Sequence, residues 1–206
     1  MKRNLETLIE KIRDFTNRGN EMLSDDVIET FISLAETKLY RKLRTPANEA
    51  VDEWTALSDG GDLTISPNYI EFRLIMRNGV PTEQLTLREC SNGKKGYARM
   101  GGKIHFNPTY SEGELIKLFY YKDLSGMLIA SNDSNAILEA SFNVYLYGGL
   151  AEAFRYQQEQ EMALTYDMKC DEEIENMNTM ARQAELSGGK LEMAGSPYSY
   201  TQTNKY

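Results

Sequence analysis

The side chains able to do chemistry in this sequence are few and widely spaced. His105 is the single histidine. It stands between Ile104 and Phe106 in a segment of alternating character, which turns it to the face opposite both. A Ser-His-Asp or Cys-His nucleophile would have to use it, yet no nucleophile-elbow string surrounds it. Cys90 and Cys170 are the only cysteines. They form no Cys-x-x-Cys, so a disulfide framework is excluded. Two Cys and one His cannot fill a structural zinc site without carboxylates. Both thiols are expected to pack as small, reduced hydrophobes. Gly93-Lys94-Lys95-Gly96 is basic and glycine-flanked, but no P-loop or dinucleotide fingerprint is present, and a hairpin loop is expected there. The carboxylates Asp171-Glu172-Glu173-Glu175 read as a solvated helix face. No pair among them stands in an environment that would split two pKa values for acid/base work, and the Glu-x-x-His pattern of di-iron bundles is absent. The residues thus name no catalytic site, no metal site and no cofactor.

Charge points the same way. The chain has 206 residues, with 23 Lys+Arg against 31 Asp+Glu, a net charge of −8. A domain that grips DNA needs a basic face. Lys38, Arg41, Lys42 and Arg44 cluster at one helix end, where they complement the helix dipole. A net negative surface suits DNA that must slide past without sticking. At 41% hydrophobic and 26% charged, the composition is that of a folded protein. No stretch approaches the ~20 apolar residues that span a bilayer. Met1-Lys2-Arg3-Asn4-Leu5-Glu6 has no apolar segment behind it, so neither a secretory signal nor membrane association is expected.

The elements that must position these groups follow from periodicity. Leu5, Leu8, Ile9, Ile12 and Phe15 predict a first helix, stopped by Arg18-Gly19-Asn20. Ser24-Asp25-Asp26, with Glu29 at capping-box spacing, opens a second. That helix carries Ile28, Phe31, Ile32, Ala35, Leu39 and Leu43 on one face, with Glu29, Glu36, Lys38, Arg41 and Lys42 on the other. Pro46 ends it. Short strands follow at Leu63–Ile65, Phe72–Met76, Glu83–Glu89, Tyr97–Met100, Lys103–Asn107 and Glu114–Tyr121. Met100-Gly101-Gly102-Lys103 predicts a tight hairpin. In the last strand Ile116, Leu118 and Tyr120 share a face opposite Lys117 and Tyr121, as in a half-buried antiparallel sheet.

From Ser134 a helix with Ile137, Ala140, Ser141, Val144, Gly148 and Ala151 on one stripe is apolar almost all round, as a central helix should be. Gly148-Gly149 costs it roughly 1 kcal/mol per glycine, which a close helix crossing would explain. A polar helix over 157–186 shows a thin stripe of Met162, Tyr166, Cys170, Ile174, Met177 and Ala181. The fold class expected is α+β. A helical bundle (an N-terminal helix pair with two C-terminal helices, residues 1–48 and 130–187) holds an inserted β subdomain (49–129), and an extended C-terminal arm covers 188–206. The arm has three tyrosines (Tyr198, Tyr200, Tyr206), and Leu191 and Met193 among its few apolar residues. Such a segment cannot offset its own ordering entropy by packing.

Several strings, in order, resemble the head-to-tail adaptor (connector) proteins of short-tailed bacteriophages. They are Asp26-Val27-Ile28 through Phe31-Ile32-Ser33-Leu34-Ala35-Glu36 to Leu39-Tyr40-Arg41-Lys42-Leu43-Arg44, and Ile65-Ser66-Pro67-Asn68-Tyr69-Ile70-Glu71. Tyr97-Ala98, Gly101-Gly102 and Ile104-His105-Phe106-Asn107-Pro108 follow, then Leu118-Phe119-Tyr120-Tyr121, and last Tyr145-Leu146-Tyr147-Gly148-Gly149-Leu150-Ala151-Glu152-Ala153. The pattern departs at Phe142-Asn143-Val144, where the family would have a proline. The resemblance covers roughly residues 5–187. It implies a non-catalytic virion protein forming a homo-oligomeric ring, typically of twelve copies, under the portal vertex. The ring extends the DNA channel, without sequence-specific DNA binding, and meets a tail nozzle or tail fibre protein. In this chain the portal-binding arm would be residues 188–206, with Tyr198, Tyr200, Tyr206, Leu191 and Met193 as its contacts. The virion neck is the implied location, with the host cytoplasm during assembly. Rival classes are another tail-completion or capsid-associated structural protein, and a small hydrolase with a carboxylate dyad in the acidic helix.

Overall fold

The structure, a computed structural model, describes residues 2–17, 23–131 and 134–186. The first helix, α1 (Leu5–Thr16), is opened by Asn4, whose side chain accepts from Thr7 N at 3.1 Å, and closed by Asn17 in the left-handed region. The expected stop at Arg18-Gly19-Asn20 lies outside the described residues. Leu5, Leu8, Ile9 and Ile12 are buried, but Phe15 is 52% exposed and does not extend the stripe. Helix α2 (Asp25–Lys42) starts after Ser24, with no side-chain bond at its cap, so the capping box expected of Asp26 and Glu29 does not form. It ends at Lys42, before Pro46, which instead starts a single 3-10 turn (Pro46–Asn48).

The strands are β1 (Glu49–Thr55), β2 (Gly60–Thr64), β3 (Tyr69–Arg77), the short β4 (Val80–Pro81), β5 (Gly96–Met100), β6 (Lys103–Tyr110) and β7 (Leu115–Lys122). A short helix, α3 (Leu87–Ser91), precedes β5. It replaces the strand expected over Glu83–Glu89. Thr86 and Glu89 form a reciprocal capping box that satisfies two otherwise orphaned donors, and this local bonding favours a helical turn over a ladder. The basic segment Gly93-Lys94-Lys95-Gly96 therefore follows α3 and is no strand-to-strand hairpin. The Met100–Lys103 hairpin does form, with Gly101 at φ 60°.

Two antiparallel sheets result where one was expected, ordered β1-β7-β3-β4 and β2-β6-β5. Ile75, Ile116, Leu118 and Tyr120 of the first share a core with Tyr97, Ile104 and Phe106 of the second. Aromatic rings run through it: Phe72 meets Tyr97 edge-on at 6.2 Å, and Phe106 meets Tyr110 at 5.9 Å. Strand β1 had no strong signal because its burial alternates only between exposed and half-buried.

The chain then returns to helix as α4 (Met127–Ser131), α5 (Ala136–Ala140), α6 (Phe142–Tyr156) and α7 (Gln160–Leu186). Two helices were expected here, and four are present among the described residues. The break between α5 and α6 is at Ser141, whose extended backbone lets its hydroxyl face Val144 N as an N-cap. Helix α6 packs against α1, α2 and α7. A Cβ on Gly148 would lie 2.9 Å from Ala35 Cβ, and one on Gly149 2.5 Å from Ile12 Cδ1. The glycine pair is therefore what allows α6 to approach both N-terminal helices. On α7 the buried stripe is Ala163, Tyr166, Cys170, Ile174 and Asn178, while Met162 is 39% exposed. Among the described residues, no helix is long and apolar enough to cross a membrane.

Candidate interaction surfaces

Glu36 lies at the centre of the helical half. Its position, four residues after Ile32 and four before Tyr40, puts it on the apolar stripe of α2, and its side chain is wholly buried. This corrects the expectation that it faces solvent. The carboxylate accepts from Gly126 N at 2.8 Å, from Leu128 N at 3.3 Å and from the Tyr145 hydroxyl at 2.9 Å. Asn135 Nδ2 donates to Tyr145 Oη at 2.8 Å, and the Tyr40 and Tyr145 hydroxyls are 3.3 Å apart. One acid thus ties α2 to the turn ahead of α4, to α4 and to α6, and Tyr145 extends the network to Asn135 at the cap of α5. Burial raises its pKa, only partly opposed by the bonds from Tyr145, Gly126 and Leu128, and Asp123 pushes the same way as burial. Burial also pushes Tyr40 up to about 12 and Tyr145 higher still.

A second polar feature is the seam of α2 with α7. Lys38 Nζ bonds Asp167 at 2.6 Å, Lys42 Nζ bonds Asp171 at 2.8 Å, and Arg155 joins Asp167 to Glu152. Burial alone would raise the Asp171 pKa, but the Lys42 hydrogen bond and the charges of Lys38 and Lys42 hold it below the usual carboxylate range. A cation between two carboxylates removes the asymmetry that a catalytic dyad needs. At the seam's end, buried Asn178 accepts from Arg44 N at 2.7 Å and donates to Lys42 O at 3.0 Å, satisfying a helix terminus from another helix.

Beyond it the helical half meets the first sheet in an open groove of ≈ 580 Å³. Arg44 bonds Glu71 at 2.7 Å, Arg73 bonds Glu49 and Glu185, and both guanidinium groups lie over the Tyr121 ring at 5.4 and 5.6 Å. Arginine stacks and forks at once, so the Arg44 and Arg73 charges in the groove are matched by Glu71, Glu49 and Glu185. Of the basic cluster expected at the end of α2, three members are thereby committed to ion pairs.

The residues that could do chemistry are scattered. His105 Nδ1 is 2.7 Å from Asp62 Oδ1 on the outer face of the second sheet, both partly exposed. Cys90 is buried on the inner face of α3 against Leu85 and Ala98, and Cys170 is buried beside Val144 O, where burial lifts its thiol to about 11. Among the described residues no group of three His, Cys, Asp or Glu could hold a metal ion. The structure brings none of these together. Leu191, Met193, Tyr198, Tyr200 and Tyr206, expected as portal contacts, lie outside the described residues.

No curated protein matches the chain. A family model, the SU10 adaptor protein, matches residues 3–192 and so takes in both sheets and every helix of the described residues. That agrees with the order of strings that resembles the phage head-to-tail adaptors: the chain belongs to the SU10 adaptor protein family.

Proposed function

We propose that this chain is a non-catalytic structural protein of a phage particle, built into a ring that joins the portal vertex to the tail and extends the DNA channel. The observation that carries this is the adaptor family match over residues 3–192. The chemistry is in keeping with it, because the polar groups of the helical half are spent on each other and on helix ends, as in a part that must hold its shape. The net charge of −8 suits a wall past which DNA slides. In this reading residues 1–48 and 130–187 are the helical unit, 49–129 an insertion, and 188–206 an arm that orders on the portal. Tyrosine gives such an arm large contact area with few rotors.

Mixing purified chain with portal rings tests it. The full chain is expected to bind, at about twelve copies per portal. A chain lacking residues 190–206 should stay folded and soluble but no longer join the rings. Unchanged portal binding by the truncation rejects the arm, and failure of the full chain to bind rejects the adaptor role.

A further inference from the structure

Charge is sorted across the two-sheet subdomain. Residues 45–72 hold six Asp/Glu and no Lys or Arg, whereas residues 90–111 hold four Lys/Arg and no Asp or Glu. The fold carries β1 and β2 of the first segment to one side and β5 of the second to the other, with β6 between β2 and β5. Strands β1 and β2, joined by residues 56–59, are each an outer strand of their sheet, and both pack side chains against the shared core. On the far side, residues 82–85 bond to both Ile75 and Tyr97, so β4 and β5 close that side under α3.

Much of this charge is matched locally: Glu49 by Arg73, Glu53 by Lys117, Lys94 by Glu83. Glu71 likewise pairs with Arg44, and Asp62 with Lys103 and His105, but other charges are unmatched. Asp52 accepts from the Tyr120 hydroxyl and Asp59 from Glu112 N, and neither has a cation at ion-pairing distance among the described residues. Across the subdomain, Arg88 and Lys95 have no carboxylate partner there either. Each rim also presents an apolar side chain beside its unmatched charges: Leu57 at 90% exposure on the acidic side, Leu87 at 46% on the basic side.

We propose that these rims bind one another between neighbouring copies of this chain, the Asp52–Leu57–Asp59 rim of one against the Leu87–Arg88–Lys95 rim of the next. Two different patches that complement each other make a head-to-tail contact, which closes into a ring when the rotation between copies divides a circle. The acidic edge repels a second acidic edge, so sheet-to-sheet pairing of like rims is barred while the basic rim is accepted. The inference rests on the ring reading above and names the surface that would build it.

The test is sedimentation of the full chain, alone and with portal rings, for wild type and three variants. Arg88→Glu/Lys95→Glu alters side chains without ion pairs, so folding is expected to be intact by circular dichroism. It should weaken self-association at least about tenfold at low salt. Leu57→Lys/Asp59→Lys, which leaves the Asp52–Tyr120 bond in place, should do the same from the opposite rim, with folding again checked by circular dichroism. The combined variant should regain most of the loss, because a rim made net positive then faces a rim made negative. Either single-rim variant assembling like wild type, or a combined variant no better than its parents, overturns the rim contact and leaves the ring reading standing. A wild-type chain that stays monomeric both alone and on portal rings overturns both.

Discussion

The helical half and the sheet subdomain are both well packed, yet they solve the problem of polar groups in opposite ways. The helical core takes a carboxylate, two tyrosine hydroxyls and an asparagine into its centre and bonds them to one another. The sandwich core keeps its centre to aliphatic and aromatic side chains, with charge at the rims and over ring faces, as with Arg99 over Tyr69 at 4.6 Å. A buried network specifies one arrangement of helices, since any other leaves a donor unpaired. A sandwich needs less of this. Strand register already decides which side chains face inward, and one slip exposes them all. The two regions should therefore fail differently.

The largest effect is expected in the sandwich. Phe106, 1% exposed and in ring contact with Tyr97 and Tyr110, touches both sheets' shared core. Phe106→Ala should cost about 3–5 kcal/mol, read as a lowered urea midpoint. In the helical half Gly149→Val drives a branched side chain into Ile12, and about 1–3 kcal/mol is expected. Gly149→Ala should cost less, because a single methyl needs only the Ile12 tip to move. Equal losses from Ala and Val would mean that the crossing is not what fixes the glycine.

These same places show what was legible in the sequence. The Gly148-Gly149 crossing, the Met100–Lys103 hairpin and the alternation of Ile116, Leu118 and Tyr120 were readable because each depends on local spacing. Glu36 was misread, and Asn178 passed over, for a physical reason. Both lie on buried stripes by position, four residues from Ile32 and Ile174, but a charge or an amide there is tolerated only if partners distant in sequence satisfy it. Those partners, Gly126, Leu128 and Tyr145 for the acid and Lys42 and Arg44 for the amide, are 90 or more residues away. The helix at Leu87–Ser91 was legible in principle, since Thr86-Leu87-Arg88-Glu89 is itself a capping box. The rims were not read from the sequence, because only the pairing of strands determines which side each charged segment occupies.

Glu36→Gln sharpens the comparison by separating hydrogen bonding from charge. Its amide oxygen replaces one acceptor, but its NH₂ then confronts Gly126 N–H or Leu128 N–H, a fixed penalty of about 1–3 kcal/mol. Charge adds a pH-dependent part. Glu36 has a raised pKa in the folded chain, so the fold binds the proton more tightly than the unfolded chain does. Wild-type stability from this group is therefore highest at low pH and falls as pH rises from the ordinary carboxylate range through the raised value. The glutamine variant lacks that fall. Urea midpoints should show it below wild type at pH 5, with the gap narrowing toward pH 8. Parallel curves would mean that Glu36 is not strained by burial.

The smallest effect belongs to the seam, although several ion pairs cross it. Lys42 and Asp171 are each 46% exposed, and water screens such a pair. Lys42→Ala should cost no more than about 1 kcal/mol and should lose most of that difference when salt is raised, because the Debye length then falls below the spacing of the neighbouring charges. The sign with pH is opposite to that of Glu36. Asp171 is held below its ordinary range, so its contribution is present above about pH 4 and is lost as pH falls through the lower folded value. A thermal melt at neutral pH and near pH 3 therefore distinguishes the two acids of the helical half. The Lys42→Ala difference should vanish in acid, where the Glu36→Gln difference is largest. If Lys42→Ala cost several kcal/mol at high salt, the seam would be acting as a desolvated network like the one around Glu36, and the contrast drawn between buried and screened polar groups within this one helix would not hold.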